Sequence, residues 1–540
     1  MSQPAADPTT RGASRAARPT STARDSATVA GWTLVSRITG LLRVLAIGAV
    51  LGPTYFANTF QAGYVVPNLI YSLIAGQILA MVLVPGIVRT IGDHGIDRAR
   101  QLLGRVAGVL LVISGALAAL LVLAAPLVAW SLTFDIPDAE LRARAQQLTV
   151  LIVLFVAPQV VLYTVAAWHT AAQHARGRFA LAAAAPCTEN LGVIATMTIA
   201  ALAYGGGTEA DSVPIGLVVL LGAGATASVA VHACLQVLGA ARAGVLARPS
   251  LRWRSDQEAV DTLRRLRRSV RVAACPAAAI YLVLALAATV PGGVFVLQVA
   301  YAVHNAVIAL SAHAVSTAVL PRLAEAARRH DPAPFAEHWR RGISYTAMAS
   351  VPALVLLAAF ARPAAELLTR GEVAAGPIVS SLAACLAVVA ATQLAGGLHN
   401  LGRQALYARL DDRGPRLAAA IELLVTAAVG VLALLQLPTG LPLLVGLVVA
   451  VLCGEAAGAG IVLTRLRGTM RAGRFLPGRP LAGIAAAVAA MLPVVAVGAG
   501  VLPTSGTGSL AELGLLALFG TAALGCYASV LRALSTRGWG

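Results

Sequence analysis

The chain has 540 residues, 58% of them hydrophobic and only 12% charged, with a mean hydropathy of +0.80. A soluble protein would carry roughly twice that share of charge, so composition overrules the two or three soluble domains that length alone would suggest. The net charge of +18 comes wholly from arginine, because there is no lysine, and that excludes a P-loop ATPase and Schiff-base chemistry.

Residues 1–25 are Ala, Ser, Thr, Pro and Arg without periodicity, and are expected to form a disordered cytoplasmic tail that is not a cleaved signal peptide. Fourteen spans are then expected at 27–51, 61–88, 105–133, 147–172, 180–204, 213–240, 270–290, 294–320, 343–361, 375–398, 416–437, 441–464, 480–502 and 510–533. Each comes near the ~20 apolar residues that cross a hydrocarbon core of ~30 Å. The chain is thus expected to be an all-α membrane protein with about fourteen transmembrane helices.

The arginines sort by loop. The tail carries Arg11, Arg15, Arg18 and Arg24, and the even-numbered loops continue the series from Arg89, Arg98 and Arg100 to Arg467, Arg471 and Arg474. Alternate loops are uncharged (52–57, 291–293, 438–440), acidic (Glu209, Asp211, Glu512) or mixed. Arginine-rich loops stay in the cytoplasm, so both termini are expected inside a cell membrane crossed many times. Arginines placed this way signal topology and no nucleic-acid partner.

The sixth loop opens with Ser255-Asp256-Gln257-Glu258, a capping-box pattern, and residues 256–268 are expected to form a basic surface helix bridging two halves. Val84-Pro85-Gly86-Ile87 with His94 recurs as Leu320-Pro321-Arg322-Leu323 with His330, and Arg176-Gly177 recurs as Arg413-Gly414. This suggests an internal parallel repeat, the kind that places a transport site between two bundles. The organisation expected is a lobe over 26–241, a linker over 242–269, a second lobe over 270–465 and two additional helices over 466–540.

Arg37 and Arg43 lie inside the first span, where a central arginine costs on the order of 3 kcal/mol. A water-filled cavity bringing them an anion would compensate, and the planar guanidinium suits phosphate. Six residues apart, they would point about 240° apart on a straight helix, and Gly40 between them could supply a bend. The bland alternative is an arginine paired to a neighbouring helix. Glu189 and Glu455 are candidates for coupling a cation or pairing with an arginine. His304, with Asn305 and Gln298, could line the same cavity, although a membrane histidine more often bonds helix to helix. Asn58, Gln61, Asn68 and Gln77 around Pro67 and Gly76 suit a discontinuous helix facing that cavity.

The six cysteines stand singly in apolar stretches and give no metal or disulfide pattern. Asp411-Asp412 reads as a cap for the helix opening at Pro415. No catalytic set has a credible context, so no enzyme, metal or cofactor is expected.

Several segments in order carry a resemblance. They are Ser36-Arg37-x-x-Gly40-x-x-Arg43, Phe60, Pro67-Asn68-Leu69, Leu83-Val84-Pro85, Gly177-Arg178-Phe179 with Ala185-Pro186 and Asn190, Leu320-Pro321, Leu367-Leu368-x-Arg370-Gly371-Glu372, and Tyr407-Ala408-x-x-Asp411-Asp412. Together they resemble the MurJ (MviN) family of lipid II flippases, in the MOP exporter superfamily, over about residues 27–465. The resemblance implies two pseudo-symmetric lobes around a central cavity, as in MATE transporters. It also implies export of a polyprenyl-diphosphate-linked peptidoglycan precursor, lipid II, by alternating access. Arg37 and Arg43 match arginines that help bind the head group in the family, and Asn58, Asn68, Gln77 and His304 join them as candidate substrate-binding residues. Members usually have arginines where this chain has Tyr71 and Ser72, an acid at Asn58, and an arginine at Ala302. The cavity is therefore expected to be less cationic. The partners implied are the lipid-linked glycan, membrane lipids and cell-wall synthesis proteins. The alternatives are a flippase for another lipid-linked oligosaccharide, a MATE-like cation-coupled antiporter and a transport-dead scaffold.

Overall fold

A computed structural model describes residues 19–74, 76–308, 314–329, 331–369, 371–374, 376–470, 475–502 and 510–534; for some helical residues, Gln77 among them, the backbone alone is described. All regular elements among these residues are helical. In chain order they are α1 (Pro19–Leu51), α2 (Tyr55–Ile74), α3 (Gly76–Leu123), α4 (Ala125–Thr133), α5 (Ala139–Val156), α6 (Gln159–Ala175), α7 (Ala180–Tyr204) and α8 (Ile215–Arg242). After the linker follow α9 (Gln257–Ala287), α10 (Gly293–Ile308), α11 (Ala314–Arg328), α12 (Pro332–Ala359), α13 (Ala361–Leu368), α14 (Gly376–Ala408), α15 (Arg413–Gln436) and α16 (Leu441–Thr469), then α17 (Gly478–Val501) and α18 (Leu510–Leu534).

Eleven helices among the described residues are long and apolar enough to cross a membrane, and the shorter Ala274–Ala287 and Gly293–Ile308 fall on the expected seventh and eighth spans. The expected second span is divided between α2 and α3, and α3 carries its own break at Gly95 (φ 83°, ψ 175°). Only glycine takes that backbone conformation cheaply, so one continuous hydrogen-bonded run holds two helices. The expected disordered tail needs a correction: residues 1–18 lie outside the described residues, but α1 already begins at Pro19, eight residues before the expected span.

Helices α1 to α8 pack mainly on one another, as do α9 to α16, giving two lobes, and α17–α18 lean on α12. Positive-φ positions mark the relation between the lobes. Gly52 (72°) precedes α2 as Gly292 (72°) precedes α10, and Gly205 (78°) follows α7 as Gly440 (107°) follows α15. Gly177 (66°) sits between α6 and α7 as Leu410 (60°) sits between α14 and α15. The equivalence of Gly177 with Leu410 is an offset of 410 − 177 = 233, so the Arg176-Gly177 and Arg413-Gly414 match at 237 is displaced by about one helical turn.

The linker is strapped to the first lobe. Asp256 caps α9 by accepting from the Glu258 amide at 3.2 Å, and it also takes a bidentate grip from Arg98 at 2.9 and 3.0 Å and a further bond from Arg105. Gly104 accepts the Ser250 amide at 2.8 Å, and a β-carbon at Gly104 or Gly108 would run into the backbone of residues 248–250. The expected surface helix and the seventh span are one helix, α9, starting at that strap.

Candidate functional site

Between the lobes lies a cavity of about 700 Å³. α1 contributes Ser36, Arg37, Gly40 and Arg43, α2 contributes Asn68, α7 Glu189 and Asn190, and α8 His232 and Gln236. From the second lobe, α10 contributes Gln298, Tyr301, Ala302 and Asn305. Arg37, Arg43 and Asn68 are thus brought together with Glu189. α1 runs uninterrupted through Gly40, and both arginines line the cavity. Gly40 has another use. It lies against Asn190, whose Nδ2 donates to the Ser36 carbonyl at 3.2 Å and to Thr39 Oγ1 at 3.0 Å.

The two arginines differ in their partners. Arg43 NH1 lies 3.4 Å from Glu189 Oε1 and donates to Tyr64 Oη at 3.2 Å, with its guanidinium 5.3 Å from the Tyr64 ring centre. Glu189 Oε1 also accepts from Tyr163 at 2.8 Å and Tyr64 at 3.1 Å, and Oε2 lies 3.1 Å from His232 Nδ1. Arg43 Nε is left without a partner. Arg37 is exposed to the cavity and has no protein partner among the described residues. With Glu189 balancing Arg43, Arg37 is the cavity cation left uncompensated among the described residues.

Two further calls land elsewhere. Asn58 is fully buried and does not line the cavity. Its Nδ2 donates to the carbonyls of Ala288 (3.1 Å) and Val290 (2.6 Å), and its Oδ1 accepts the Val294 amide at 3.2 Å. It ties α2 to the turn joining α9 and α10. The Gly48 backbone beside the Phe295 ring, and Gly292 beside Pro53, are further close contacts between the lobes. His304 is buried behind Tyr301, outside the cavity lining, with its Nδ1 3.1 Å from Gln393 Nε2. The side chain of Gln77 lies outside the described residues.

Glu455 lies on α16 beside His399 of α14 (2.9 Å) and near Glu422 of α15. Sequence reasoning missed His399 and Glu422, and in the first lobe Tyr64, Tyr163 and His232. The available signal was a histidine or acid inside an apolar run, as in VAVHACL and AIELL.

The family model described as lipid II flippase MurJ matches residues 47–512. The chain belongs to the MurJ family. A probable lipid II flippase MurJ of Rhizobium meliloti (strain 1021) is 26% identical over 358 residues, which are 64% of this chain and 63% of that protein. The chain thus matches somewhat less than two thirds of that relative's length. Among solved structures, a lipid II flippase MurJ in an inward closed conformation superposes with a TM-score of 0.72 at 16% identity, over 94% of this chain and 99% of the other. An inward-facing multidrug-resistance MATE transporter of the MOP superfamily follows with a TM-score of 0.63 at 15% identity, over 80% of this chain and 94% of the other. The two-lobe MurJ and MATE fold is therefore that of this multi-pass membrane protein.

Proposed function

We propose that this chain moves a polyprenyl-diphosphate-linked peptidoglycan precursor, lipid II, across the cytoplasmic membrane by alternating access. The reading is carried by Arg37, a permanent cation with no protein partner among the described residues, in a hollow between two lobes. Such a charge at membrane depth is costly unless an anion or water meets it. A diphosphate supplies that anion, and the guanidinium meets it with paired N–H groups. Arg43, held by a long 3.4 Å contact and with Nε unpaired, can turn from Glu189 to the second phosphate. Asn68, Asn305 and Gln298 offer neutral hydrogen bonds to the glycan.

The arginine-rich end faces the cytoplasm in this reading, and the Asn58 seal closes the outer side. The lobes then rock, breaking that seal as the head group crosses while the lipid tail stays in the bilayer. Membrane potential or an ion gradient drives the cycle, worth about 2.3 kcal/mol per charge per 100 mV. A cation antiporter would want a free acid in the cavity, whereas the cavity's carboxylate, Glu189, is engaged by four protein groups. The test is transfer of a fluorescent diphosphate-linked lipid by the full chain in proteoliposomes. Arg37→Ala should lower the rate about tenfold or more, the scale of one charge-assisted contact. An unchanged rate in that variant overturns the assignment.

A further inference from the structure

The second lobe holds a polar cluster that the cavity does not use. His399 presents Nδ1 to two carboxylates at once, 2.9 Å from Glu455 Oε2 and 3.7 Å from Glu422 Oε2. The three ligand-type atoms lie within 4.8 Å of one another. The His399 side chain is only 5% exposed, and its Nε2 has no hydrogen-bond partner among the described residues. That nitrogen lies against Gly458 of α16, where a β-carbon would come within 3.2 Å of it.

We propose that His399, Glu422 and Glu455 form a proton-binding site that biases the movement of the two lobes. Charge counting supports one proton. The two carboxylates and Arg403, which acts on both of them and donates to Asn400 at 3.3 Å, sum to a net −1 while the imidazole is neutral. Protonating His399 brings the group to neutrality, the favoured state away from water. The donor set fits a proton better than sodium or calcium. Sodium and calcium need a shell of oxygens, and here one of three groups is an imidazole already bonded to a carboxylate.

Proton uptake has a mechanical consequence. The imidazolium gains a second N–H at Nε2, and the resting packing gives that atom no acceptor. A buried donor left unpaired is costly, so the protonated ring favours a different seating of α14 on α16. The site also reaches the cavity. Gly396 separates Glu455 from His304, with a β-carbon there falling 3.7 Å from each. His304 bonds Gln393 of α14 and sits edge-on to Tyr301, which lines the cavity. Other charged groups on the surrounding helices form pairs of their own: Arg341 with Glu337 on α12, Arg264 with Asp261 on α9, Arg416 of α15 with Asp412, and Arg465 of α16 with Asp411.

The proposal draws its purpose, not its existence, from the transporter reading. Its test therefore measures conformation and not lipid transfer. The six native cysteines are replaced, and spin labels are placed by Leu202→Cys and Leu435→Cys at exposed positions near the charge-poor ends of α7 and α15. Distance distributions are recorded in nanodiscs from about pH 5.5 to about pH 8.5, the range over which histidine charge is tuned, at fixed sodium. The wild-type background should change its ratio of closed to open populations by at least about fivefold, the lower end of ordinary coupling. His399→Gln should reduce the change below about twofold. Should His399→Gln fail to fold, Glu422→Gln decides: it should move the midpoint by about half a pH unit or more, because it removes one charge beside the imidazole. A pH response absent from the wild-type background, unaltered in the variants, or reproduced by sodium at constant pH overturns the proposal. A chain that keeps the pH response yet moves no diphosphate lipid loses the flippase reading and retains the proton site.

Discussion

Replacing Asn58 by alanine should open the sealed end of the cavity. Its side chain makes three bonds across the lobes, to the Ala288 and Val290 carbonyls and from the Val294 amide. Each is worth about 0.5–1.5 kcal/mol net, and removing the side-chain amide takes a partner from the Ala288 carbonyl and the Val294 amide at buried residues, while the Val290 carbonyl keeps the Gly293 amide. The closed state should therefore lose about 2–4 kcal/mol relative to the open one, a factor of roughly 30 to 1,000 in their ratio. The open state exposes those backbone groups to water and suffers little of the loss. Spin labels on Leu202 and Leu435 should show the longer separation becoming the major one. Asn58→Asp is the sharper control. It keeps an acceptor for Val294 but turns the donor facing two carbonyls into an anion, so its closed population should fall at least as far. A distance distribution in Asn58→Ala matching that of the unsubstituted chain would refute the idea that this asparagine holds the lobes together.

Burial favours the protonated form of Asp256, but hydrogen bonds and charge from Arg98 and Arg105 outweigh it and hold the carboxyl below the usual carboxylate range. The folded value is thus the lower one, so the strap's contribution is present above the unfolded value of about 3.9 and is lost as pH falls through the folded value. The melting temperature of Asp256→Asn should accordingly lie below that of the wild type at neutral pH, with the gap closing in acid; a gap that persists in acid contradicts the linkage. Leu410 has φ 60° and is 93% exposed, so Leu410→Gly should raise the denaturation midpoint by the equivalent of about 1 kcal/mol. Glu189→Gln should release Arg43 and give the cavity a second free cation, tightening binding of a diphosphate lipid analogue about tenfold by calorimetry. Weaker binding in that variant would mean that Glu189 positions Arg43 for the ligand rather than competing with it.

The sequence made the helices, the loop charges and the deep arginines readable because each follows from local composition: a run of apolar residues must cross or bury, and a charge inside it must be compensated. What composition could not assign was which groups provide the compensation. Arg37 and Arg43 look alike in SRITGLLR, yet the partner that separates them, Glu189, lies 146 positions from Arg43. Asn58 looked like cavity polarity for the same reason, since its three partners lie between 230 and 236 positions away. The repeat was visible but misregistered at one junction, because the backbone there is specified by a positive φ that glycine supplies at 177 and a strained leucine supplies at 410. His399 carried no motif at all. Its character comes from two acids on separate helices, and an imidazole becomes a switch only when folding places charges around it. The same logic ranks the cavity's parts: a residue whose bonding capacity is spent on the protein stabilises a state, and a residue with capacity left over is free for a ligand. In the proposed transport cycle, that measure would put Asn58 with the gate, Arg43 with both, and Arg37 with the cargo.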